Sequence, residues 1–372
     1  MTDIGLLLEM LTYRRPMGSA TELEFRKRFI PEAFEDDHGN LHVWIANADG
    51  SPSRVLWSCH TDTVHKGPGR QTLTYDAISG IVHLSNRSRK QGSNCLGADD
   101  TAGVFICVQL IAANVPGHYV FHYGEERGGI GSGNLSQSPG DLLDNAEIAI
   151  ALDRRGTSDV ITFQYGWRSA SERFAQSLCR ALKVADPSLK YAPTHGVYTD
   201  TAEYTGLIPE CSNLSVGYLN EHRSDELLMT KHTLRLLEAL KVLDTASLEV
   251  DREPEDPYQG YMFVADTPDY DRKPSTIDLC MRCGHTEKEH DTPETDCTYC
   301  LCEAYLPEED DYDTVSLYLD PEYADIQRSL RKINREDPAV QSALRRAQDD
   351  TRAQAVRGIV LSWPKDDPKD KQ

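Results

Sequence analysis

Five short segments in the first two-thirds of the chain carry acidic residues or histidines where they could bind metal ions. Four of these segments follow a predicted strand, and the fifth starts a predicted helix with two adjacent aspartates. Because open α/β sheets bind their ligands at the carboxyl ends of the strands, we expect these side chains to lie close together. In chain order, the candidates are His60, Asp99, the pair Glu125 and Glu126, Asp153, and His222.

The first segment is WSCHTDTVH, in which an apolar strand ends at His60. Asp62 follows two residues later, on the same side of an extended chain. A carboxylate at this spacing can orient an imidazole that binds a metal ion. Taken alone, the segment is also compatible with a core histidine beside a turn-forming aspartate.

The second segment, CLGADDTAGVF, places Asp99 and Asp100 at the start of an apolar helix. Two adjacent carboxylates are unfavourable there unless a cation or the helix N-terminus compensates their charge. An ordinary N-cap would explain one of the two aspartates but not both.

In the third segment, FHYGEERGGIGS, the predicted strand Tyr119–Tyr123 leads directly into Glu125 and Glu126. One glutamate could bind a metal ion while its neighbour acts as a general base, although a solvated turn could have the same sequence. Asp153 and His222 follow two further strands, and each is a weak signal alone. Together, two imidazoles and at least three carboxylates can hold two divalent ions that share a bridging carboxylate, and mixed nitrogen and oxygen ligands suit zinc.

The motifs HTDTV, GADDTAG and GEE, followed by an aspartate at a strand end and a late histidine, resemble the co-catalytic zinc exopeptidase superfamily. This group includes bacterial leucyl aminopeptidases, peptidase T, glutamyl aminopeptidases and carboxypeptidase G. The motifs occur in the order that the family has, and the resemblance covers residues 1–245. The opening of the chain, a helix followed by PMGSATELEF, is also similar to the start of these proteins.

The resemblance implies a catalytic site with two zinc ions in residues 1–245. Asp99 would bridge the two ions, and the peptide bond that joins it to Asp100 would be cis. The remaining ligands would be His60 and Asp153 on one ion, and Glu126 and His222 on the other.

The resemblance also implies roles for three residues that bind no metal ion. Asp62 would orient His60, and Glu125 would be the general base that takes a proton from a water molecule between the two ions. The segment GVYTDTAEY is similar to a region of glutamyl-type aminopeptidases, which would place Asp200 near the substrate.

We therefore predict a zinc-dependent hydrolase of peptide or amide bonds, in the first place an aminopeptidase that acts on short peptides. The intervals between Asp62 or Asp153 and the next ligand, 36 and 68 residues long, are too short for the lid domain that many relatives have. Lid-bearing relatives often use the lid to grip a substrate carboxylate. Its absence favours recognition of a free α-amine, for which Glu221 or Asp200 is available.

Two alternatives to the aminopeptidase remain open. Arg127, Arg154 and Arg155 could bind a substrate carboxylate, as expected of an N-acyl amino acid amidohydrolase or a carboxypeptidase-type enzyme with the same metal site. A non-catalytic adaptor scaffold is the alternative of another class. It would be expected to have lost metal ligands, whereas every expected ligand is present in the sequence.

The elements that must position these residues alternate between strands and helices throughout residues 1–245. This alternation predicts an α/β fold with a mainly parallel, mixed sheet, helices on both faces and no lid domain. The clearest strands are Leu41–Ala46, Val55–Ser58, Tyr119–Tyr123 and Glu147–Leu152, and the clearest helices are Ala102–Ala113, Ser169–Leu182 and Thr230–Thr245.

A second group of potential metal ligands lies in residues 280–306, after an acidic linker at 246–279. Two CxxC pairs separated by 13 residues are typical of a structural zinc site, which would be the third zinc ion of the chain. A redox role is the alternative. The predicted ligands are Cys280, Cys283, Cys297 and Cys300, with His285, His290 and Cys302 as possible substitutes.

Two-thirds of the net charge of −21 lies in residues 246–372, and residues 307–372 are predicted to form an acidic, partly helical tail with a disordered end. This charge argues against nucleic acid and anionic membranes as partners. A protein partner could bind the cysteine-rich segment or the tail. No apolar stretch approaches the ~20 residues that span a bilayer, and the layout of the cysteines favours a reducing compartment, so we expect a cytoplasmic protein.

Overall fold

The computed structural model of the chain describes residues 3–254. The predicted ligands Cys280, Cys283, Cys297 and Cys300, and most of the predicted linker and tail, lie outside this range. Within residues 3–254, no helix is both long and apolar enough to cross a lipid bilayer.

Residues 3–254 form seven α-helices, fifteen strands and three short 3-10 helices. The α-helices are α1 (Asp3–Met10), α2 (Ala20–Phe29), α3 (Asn86–Lys90), α4 (Ala98–Ala112), α5 (Ile130–Gln137), α6 (Glu172–Ala185) and α7 (Thr230–Lys241). The 3-10 helices are Glu125–Arg127, Asp200–Tyr204 and Thr245–Ser247. The strands are β1 (Tyr13–Arg14), β2 (Phe34–Glu35), β3 (Leu41–Ile45), β4 (Val55–His60), β5 (Gly69–Arg70), β6 (Leu73–Asp76), β7 (Ile81–Leu84), β8 (Gly117–His122), β9 (Ile148–Arg154), β10 (Asp159–Gln164), β11 (Trp167–Arg168), β12 (Ala192–His195), β13 (Glu210–Ser215), β14 (Tyr218–Leu219) and β15 (Leu227–Met229).

The central sheet has the strand order β11-β10-β13-β9-β4-β8-β3-β2, with β12 paired to β10. Its middle strands β13, β9, β4 and β8 are parallel. On one side β3 pairs antiparallel with β8, and β2 antiparallel with β3. On the other side β10 pairs antiparallel with β13, and β11 antiparallel with β10. The predicted α/β fold with a mixed sheet is confirmed. The parallel strands lie in the middle of the sheet, and their carboxyl ends meet along one edge.

Both faces of the middle strands are buried, because other elements cover each side of the sheet and successive side chains enter the cores on opposite sides. In β4, Val55, Trp57 and Cys59 belong to the larger apolar core, whereas Leu56 belongs to a smaller one on the other face. Helix α4 packs against β4 and β9, and α1 and α7 pack against α4. Helix α5 and the 3-10 helix Asp200–Tyr204 pack together on the opposite face. The predicted helical cover on both faces is therefore confirmed.

A second, four-stranded sheet has the order β14-β15-β7-β6 and was not predicted from the sequence. Its hairpin β6–β7 fills part of the interval between Asp62 and Asp99, where we expected no lid domain. Strand β15 pairs with β7 on one side and with β14 on the other, so this sheet supports the loop that carries His222.

Candidate metal centre

Three middle strands deliver predicted ligands to the same edge of the sheet. His60 is the last residue of β4, and Asp153 is the last but one of β9. Glu125 and Glu126 begin the 3-10 helix that follows β8. Because β4 is hydrogen-bonded in parallel to both β8 and β9, these three strand ends are neighbours.

Asp99, near the start of α4, lies between the two histidines. Its Oδ1 is 3.1 Å from Nε2 of His60, and its Oδ2 is 3.2 Å from Nε2 of His222. The peptide bond between Asp99 and Asp100 is cis. One carboxylate thus presents an oxygen to each side, as a ligand shared by two ions must.

On one side of Asp99, His60 and Asp153 complete what we call the buried ligand group. One potential ligand atom from each of these three residues lies within 4.8 Å of the other two. The His60 side chain is completely buried, and its Nε2 is 3.6 Å from Oδ1 of Asp153. Thr199 Oγ1 and the Tyr218 hydroxyl donate hydrogen bonds of 2.7 and 3.0 Å to the Asp153 carboxylate, which fixes its orientation.

On the other side, Asp99, Glu126 and His222 form the open ligand group, which meets the same 4.8 Å criterion. His222 Nε2 is 3.1 Å from Oε2 of Glu126. The His222 side chain is 49% exposed, and its backbone has a φ of +64°, in the left-handed region that residues other than glycine seldom adopt. Oε1 of Glu126 is buried and has no hydrogen-bond partner among residues 3–254.

The electrostatics of the cluster favour a bound cation. Burial and the Asp99 charge raise the pKa of Glu126 to about 7, and burial raises the pKa values of Glu125 and Asp153. Hydrogen bonds with Asp99 and Glu126 raise the pKa of His222 to about 11. Without metal ions, the cluster must therefore retain protons to limit repulsion among its carboxylates. Divalent cations could replace these protons, and the buried Oε1 of Glu126, which has no hydrogen-bond partner among residues 3–254, is available as a metal ligand.

Asp62 connects the buried ligand group to the predicted general base. Its backbone carbonyl is 3.1 Å from Nδ1 of His60, closer than its carboxylate Oδ1 at 3.5 Å. The same Oδ1 accepts a 3.2 Å hydrogen bond from the backbone N–H of Glu125. The contact of Asp62 with His60 is therefore made mainly through its backbone, while its carboxylate holds the start of the Glu125 segment.

Glu125 lies at the wall of a cavity with its Oε2 4.0 Å from Nε2 of His60. Asp100 points the other way, where it accepts hydrogen bonds from the backbone N–H groups of His60 and Gly103 at 3.2 and 2.9 Å. The two adjacent aspartates thus have separate tasks. Asp99 faces the candidate metal centre, and Asp100 holds the strand end and the helix together.

Two buried residues that the sequence analysis did not single out support this arrangement. Arg15 donates from Nε to the carbonyl of Thr61 at 2.8 Å and from Nη1 to Oγ1 of Thr101 at 2.9 Å. Glu22 accepts a 2.7 Å hydrogen bond from Oγ1 of Thr61. Both side chains therefore anchor the segment next to His60, and Arg15 ties it to α4. Glu22 belongs to the quoted PMGSATELEF segment, whereas a lone arginine carries no comparable signal.

Asp200, predicted to lie near the substrate, is only 1% exposed and is not part of the cavity wall. It accepts a 2.5 Å hydrogen bond from Oγ of Ser132, and burial raises its pKa to about 8. Glu221 does line the cavity, but it pairs with Arg155 at 3.1 Å. Arg154 pairs with Asp159 at 3.0 Å.

The cavity has a volume of about 450 Å³, and its lining includes carboxylates of both ligand groups. This volume lies in the range of small-molecule sites, ~300–1,000 Å³. The lining also includes Ile161, Tyr165, Val197 and Tyr198. Tyr165 is 62% exposed and Val197 is 75% exposed, so the mouth of the cavity carries apolar surface.

No protein-family model matches the chain, and no curated protein matches it in sequence. Solved structures do match it. A tripeptidase from Staphylococcus aureus has a TM-score of 0.50 at 14% identity and covers 66% of this chain and 98% of its own. This chain has the fold of that tripeptidase. The predicted resemblance to exopeptidases is thus confirmed for the fold.

Two further similar structures have lower scores. Aminopeptidase PepT from Bacillus cereus has a TM-score of 0.49 at 15% identity and covers 65% of this chain and 97% of its own. An aminopeptidase from the archaeon Desulfurococcus kamchatkensis has a TM-score of 0.45 at 13% identity and covers 71% of this chain and 99% of its own.

Proposed function

We propose that residues 1–245 form a zinc-dependent aminopeptidase that hydrolyses short peptides. The observation that carries this proposal is the position of Asp99, whose two carboxylate oxygens face two different histidines at 3.1 and 3.2 Å. Each histidine has a further carboxylate beside it, from Asp153 or Glu126. Two such groups joined by one carboxylate suit a pair of divalent ions.

The donor set fits zinc, because it combines imidazole nitrogens with carboxylate oxygens. His60 and Asp153 would hold one ion, Glu126 and His222 the other, and Asp99 both. Zinc ions bound there would polarise the scissile carbonyl and lower the pKa of a water molecule to roughly 7.

Glu125 would act as the general base on this water. Its carboxylate lines the cavity close to His60, and the hydrogen bond from its backbone N–H to Asp62 fixes the segment that carries it. In this role Oε2 would accept a proton from the attacking water and later donate it to the leaving amine.

The charges near the cavity favour a substrate with a free amino group. Arg154 and Arg155 are the arginines of its wall, and each is already paired with an acidic side chain. A substrate carboxylate would have to compete with Asp159 or Glu221 for these guanidinium groups. Three of the five wall carboxylates would bind metal ions and Glu125 would act as the base, so Glu221 is the one left for a substrate ammonium. Its buried Oε2 has no hydrogen-bond partner among residues 3–254.

Elemental analysis of the full chain tests the metal part of this proposal. We expect about two more zinc ions per chain in the wild type than in the double variant His60→Ala/His222→Ala. The double variant His38→Ala/His83→Ala removes two histidines elsewhere and should keep the wild-type content. Equal zinc contents in wild type and His60→Ala/His222→Ala would overturn the two-metal site.

Hydrolysis of a substrate panel tests the aminopeptidase part. We expect turnover of aminoacyl anilides and of dipeptides with a free amino terminus, and none of N-acyl amino acids. Preferential turnover of N-acyl amino acids would instead support an amidohydrolase with the same metal site. A protein that holds both zinc ions of this site but turns over none of these substrates would favour a non-catalytic scaffold.

A further inference from the structure

Four consecutive backbone N–H groups at the start of α4 converge on one buried carboxylate from a distant part of the chain. Oε2 of Glu226 accepts hydrogen bonds from Leu96 and Gly97 at 2.8 and 2.9 Å. Its Oε1 accepts from Ala98 and Asp99 at 2.7 and 3.1 Å. Glu226 is completely buried. It thus satisfies N–H groups that have no partner within the helix itself.

The last of these N–H groups belongs to Asp99, the carboxylate shared by both ligand groups. Gly97 has a φ of +71° and makes no side-chain cap of its own, so the turn before Asp99 has its cap from Glu226. Consecutive N–H groups of this kind form an anion-binding concavity. A glutamate held by all four of them fixes the backbone from which the Asp99 side chain projects.

Glu226 also ends the loop that carries His222. This loop connects β14 to β15 and contains two residues with positive φ, Asn220 and His222. The side chain of His222 is half exposed, so burial alone does not hold it in place. Glu226 follows four residues after His222 and attaches the end of the loop to the segment of Asp99. One carboxylate therefore connects the two ligand-bearing segments.

We propose that Glu226 is a positioning residue that sets the distance between Asp99 and His222 and thereby the metal affinity of the open ligand group. This inference rests on the proposed function, because it assumes that the open ligand group binds zinc. Residues that hold ligands in place typically change metal affinity 10–100-fold when they are replaced. The segment SVGYLNEHRSDE, which supplies His222, ends at Glu226, but the sequence alone gives no sign of this role, since Glu226 lies 127 residues from Asp99.

The chain offers a matched control in Glu210. It is also completely buried. It accepts hydrogen bonds from the backbone N–H and the hydroxyl of Ser171, and from the backbone N–H groups of Asp251 and Arg252. Glu210 thus matches Glu226 in burial and in number of donors, but it holds the end of the described chain. Replacement of either glutamate should destabilise the fold, and only one replacement should change metal binding.

The test is a zinc titration of the metal-free full chain against a competing chelator. The variants are Glu226→Gln and Glu210→Gln, with His222→Ala to identify the binding step that belongs to the open ligand group. A glutamine keeps the size of the side chain but turns one acceptor oxygen into a donor NH₂ group, which faces N–H groups. Thermal unfolding of the metal-free proteins measures how far each replacement affects the fold alone.

We expect Glu226→Gln to weaken the binding step that is absent in His222→Ala by about 10–100-fold. Glu210→Gln should keep the wild-type affinity even if its unfolding temperature falls as much. Excess zinc should restore turnover in Glu226→Gln but not in Glu125→Gln. Unchanged zinc affinity in Glu226→Gln, or an equal loss in Glu210→Gln, would overturn the inference.

A shorter acid provides a second variant if Glu226→Gln does not fold. Glu226→Asp keeps the charge but cannot reach all four donors, so the same binding step should weaken. A folded Glu226→Asp protein with wild-type affinity would contradict the inference. If wild type and His222→Ala bind equal numbers of zinc ions, the proposed function fails, and this inference with it. That result differs from a wild type that binds a zinc ion at the open ligand group with the same affinity as Glu226→Gln and Glu226→Asp.

Discussion

The buried and the open ligand groups share Asp99 but differ in how the fold holds their histidines. His60 ends a central strand and is completely buried, with Asp62, Asp100 and Arg15 fixing its surroundings. His222 lies in a loop, is 49% exposed, and has a backbone φ of +64°. The sheet therefore holds one half of the site, whereas a loop attached through Glu226 holds the other. We expect the open ligand group to bind its ion more weakly.

Replacement of Glu125 should change turnover more than any other substitution, without changing zinc binding at either ligand group. Glu125→Gln should lower kcat by about 10²–10⁴-fold, because the amide cannot accept the proton of the attacking water. Zinc content should stay at the wild-type value, since Glu125 is in neither group of potential ligands. Parallel measurement of turnover and zinc content checks this. A Glu125→Gln protein that has lost zinc would place Glu125 among the ligands.

A fall in pH should weaken zinc binding at the open ligand group. Hydrogen bonds with Asp99 and Glu126 raise the pKa of His222 to about 11, and burial raises the pKa of Glu126 to about 7, so binding there displaces protons. Below pH 11 the proton on His222 should lower the affinity by about tenfold per pH unit, and below pH 7 the proton on Glu126 should add a second tenfold per unit. The buried ligand group should weaken too, because the pKa values of His60 and Asp153 are also raised.

Zinc titrations at pH 8 and pH 6 measure this effect. The binding step that is missing in His222→Ala should shift to higher zinc concentration at pH 6. The step that belongs to the buried ligand group should remain the tighter of the two at both values. A reversed order of affinities would contradict the expectation that the open ligand group, whose histidine lies in a loop, binds zinc more weakly than the buried one.

Part of this site could be predicted from the sequence, because strand ends carry a local signal. An apolar run that ends in His60 or Asp153 shows both the strand and the residue that it delivers. The parallel middle of the sheet then brings these residues together, which is why the order of the motifs was informative. An apolar helical pattern that begins next to two adjacent aspartates likewise predicted α4 and the position of Asp99 and Asp100 at its start.

The remaining features depend on contacts between distant segments, which leave no periodic pattern. Arg15 and Glu226 are single residues whose roles appear only once the loops around Asp99 are folded. The four-stranded sheet pairs strands of two to four residues, too short to show alternation. The resemblance places Asp200 near the substrate; this residue is 1% exposed and is not among the residues of the cavity wall, and its role stays a prediction.

A packing change at α4 should affect stability more moderately. A Cβ at Gly103 would lie 2.2 Å from the carbonyl oxygen of Leu152, so α4 approaches β9 closely only with glycine there. Gly103→Ala should therefore cost about 1–3 kcal/mol of unfolding free energy through overpacking. It should also disturb the strand that carries Asp153.

The matched control is Gly133→Ala in α5, where the nearest contact of an added Cβ is 3.8 Å away. Alanine in a helix interior is about 0.5–1 kcal/mol more favourable than glycine, so this variant should be as stable as wild type or more so. Chemical denaturation of both proteins measures the difference. Equal stabilities would contradict the tight packing of α4 on β9.

A smaller change in activity concerns the apolar mouth of the cavity. If an apolar substrate side chain buries one of the two carbons that Val197→Ala removes, this variant should lower kcat/KM for leucyl substrates by roughly fourfold, as expected from ~0.8 kcal/mol per buried CH₂. Alanyl substrates should be affected less. Val184→Ala, at an 84% exposed position in α6, is the control. Equal effects of the two variants on leucyl substrates would remove Val197 from the substrate site.

Anomalous diffraction at the zinc absorption edge, from crystals of the full chain grown with zinc, shows whether two metal ions share Asp99. We expect two peaks that flank the Asp99 carboxylate, one within ligand distance of His60 and Asp153 and the other of Glu126 and His222. A single peak beside Asp99, or none, would contradict a two-metal site.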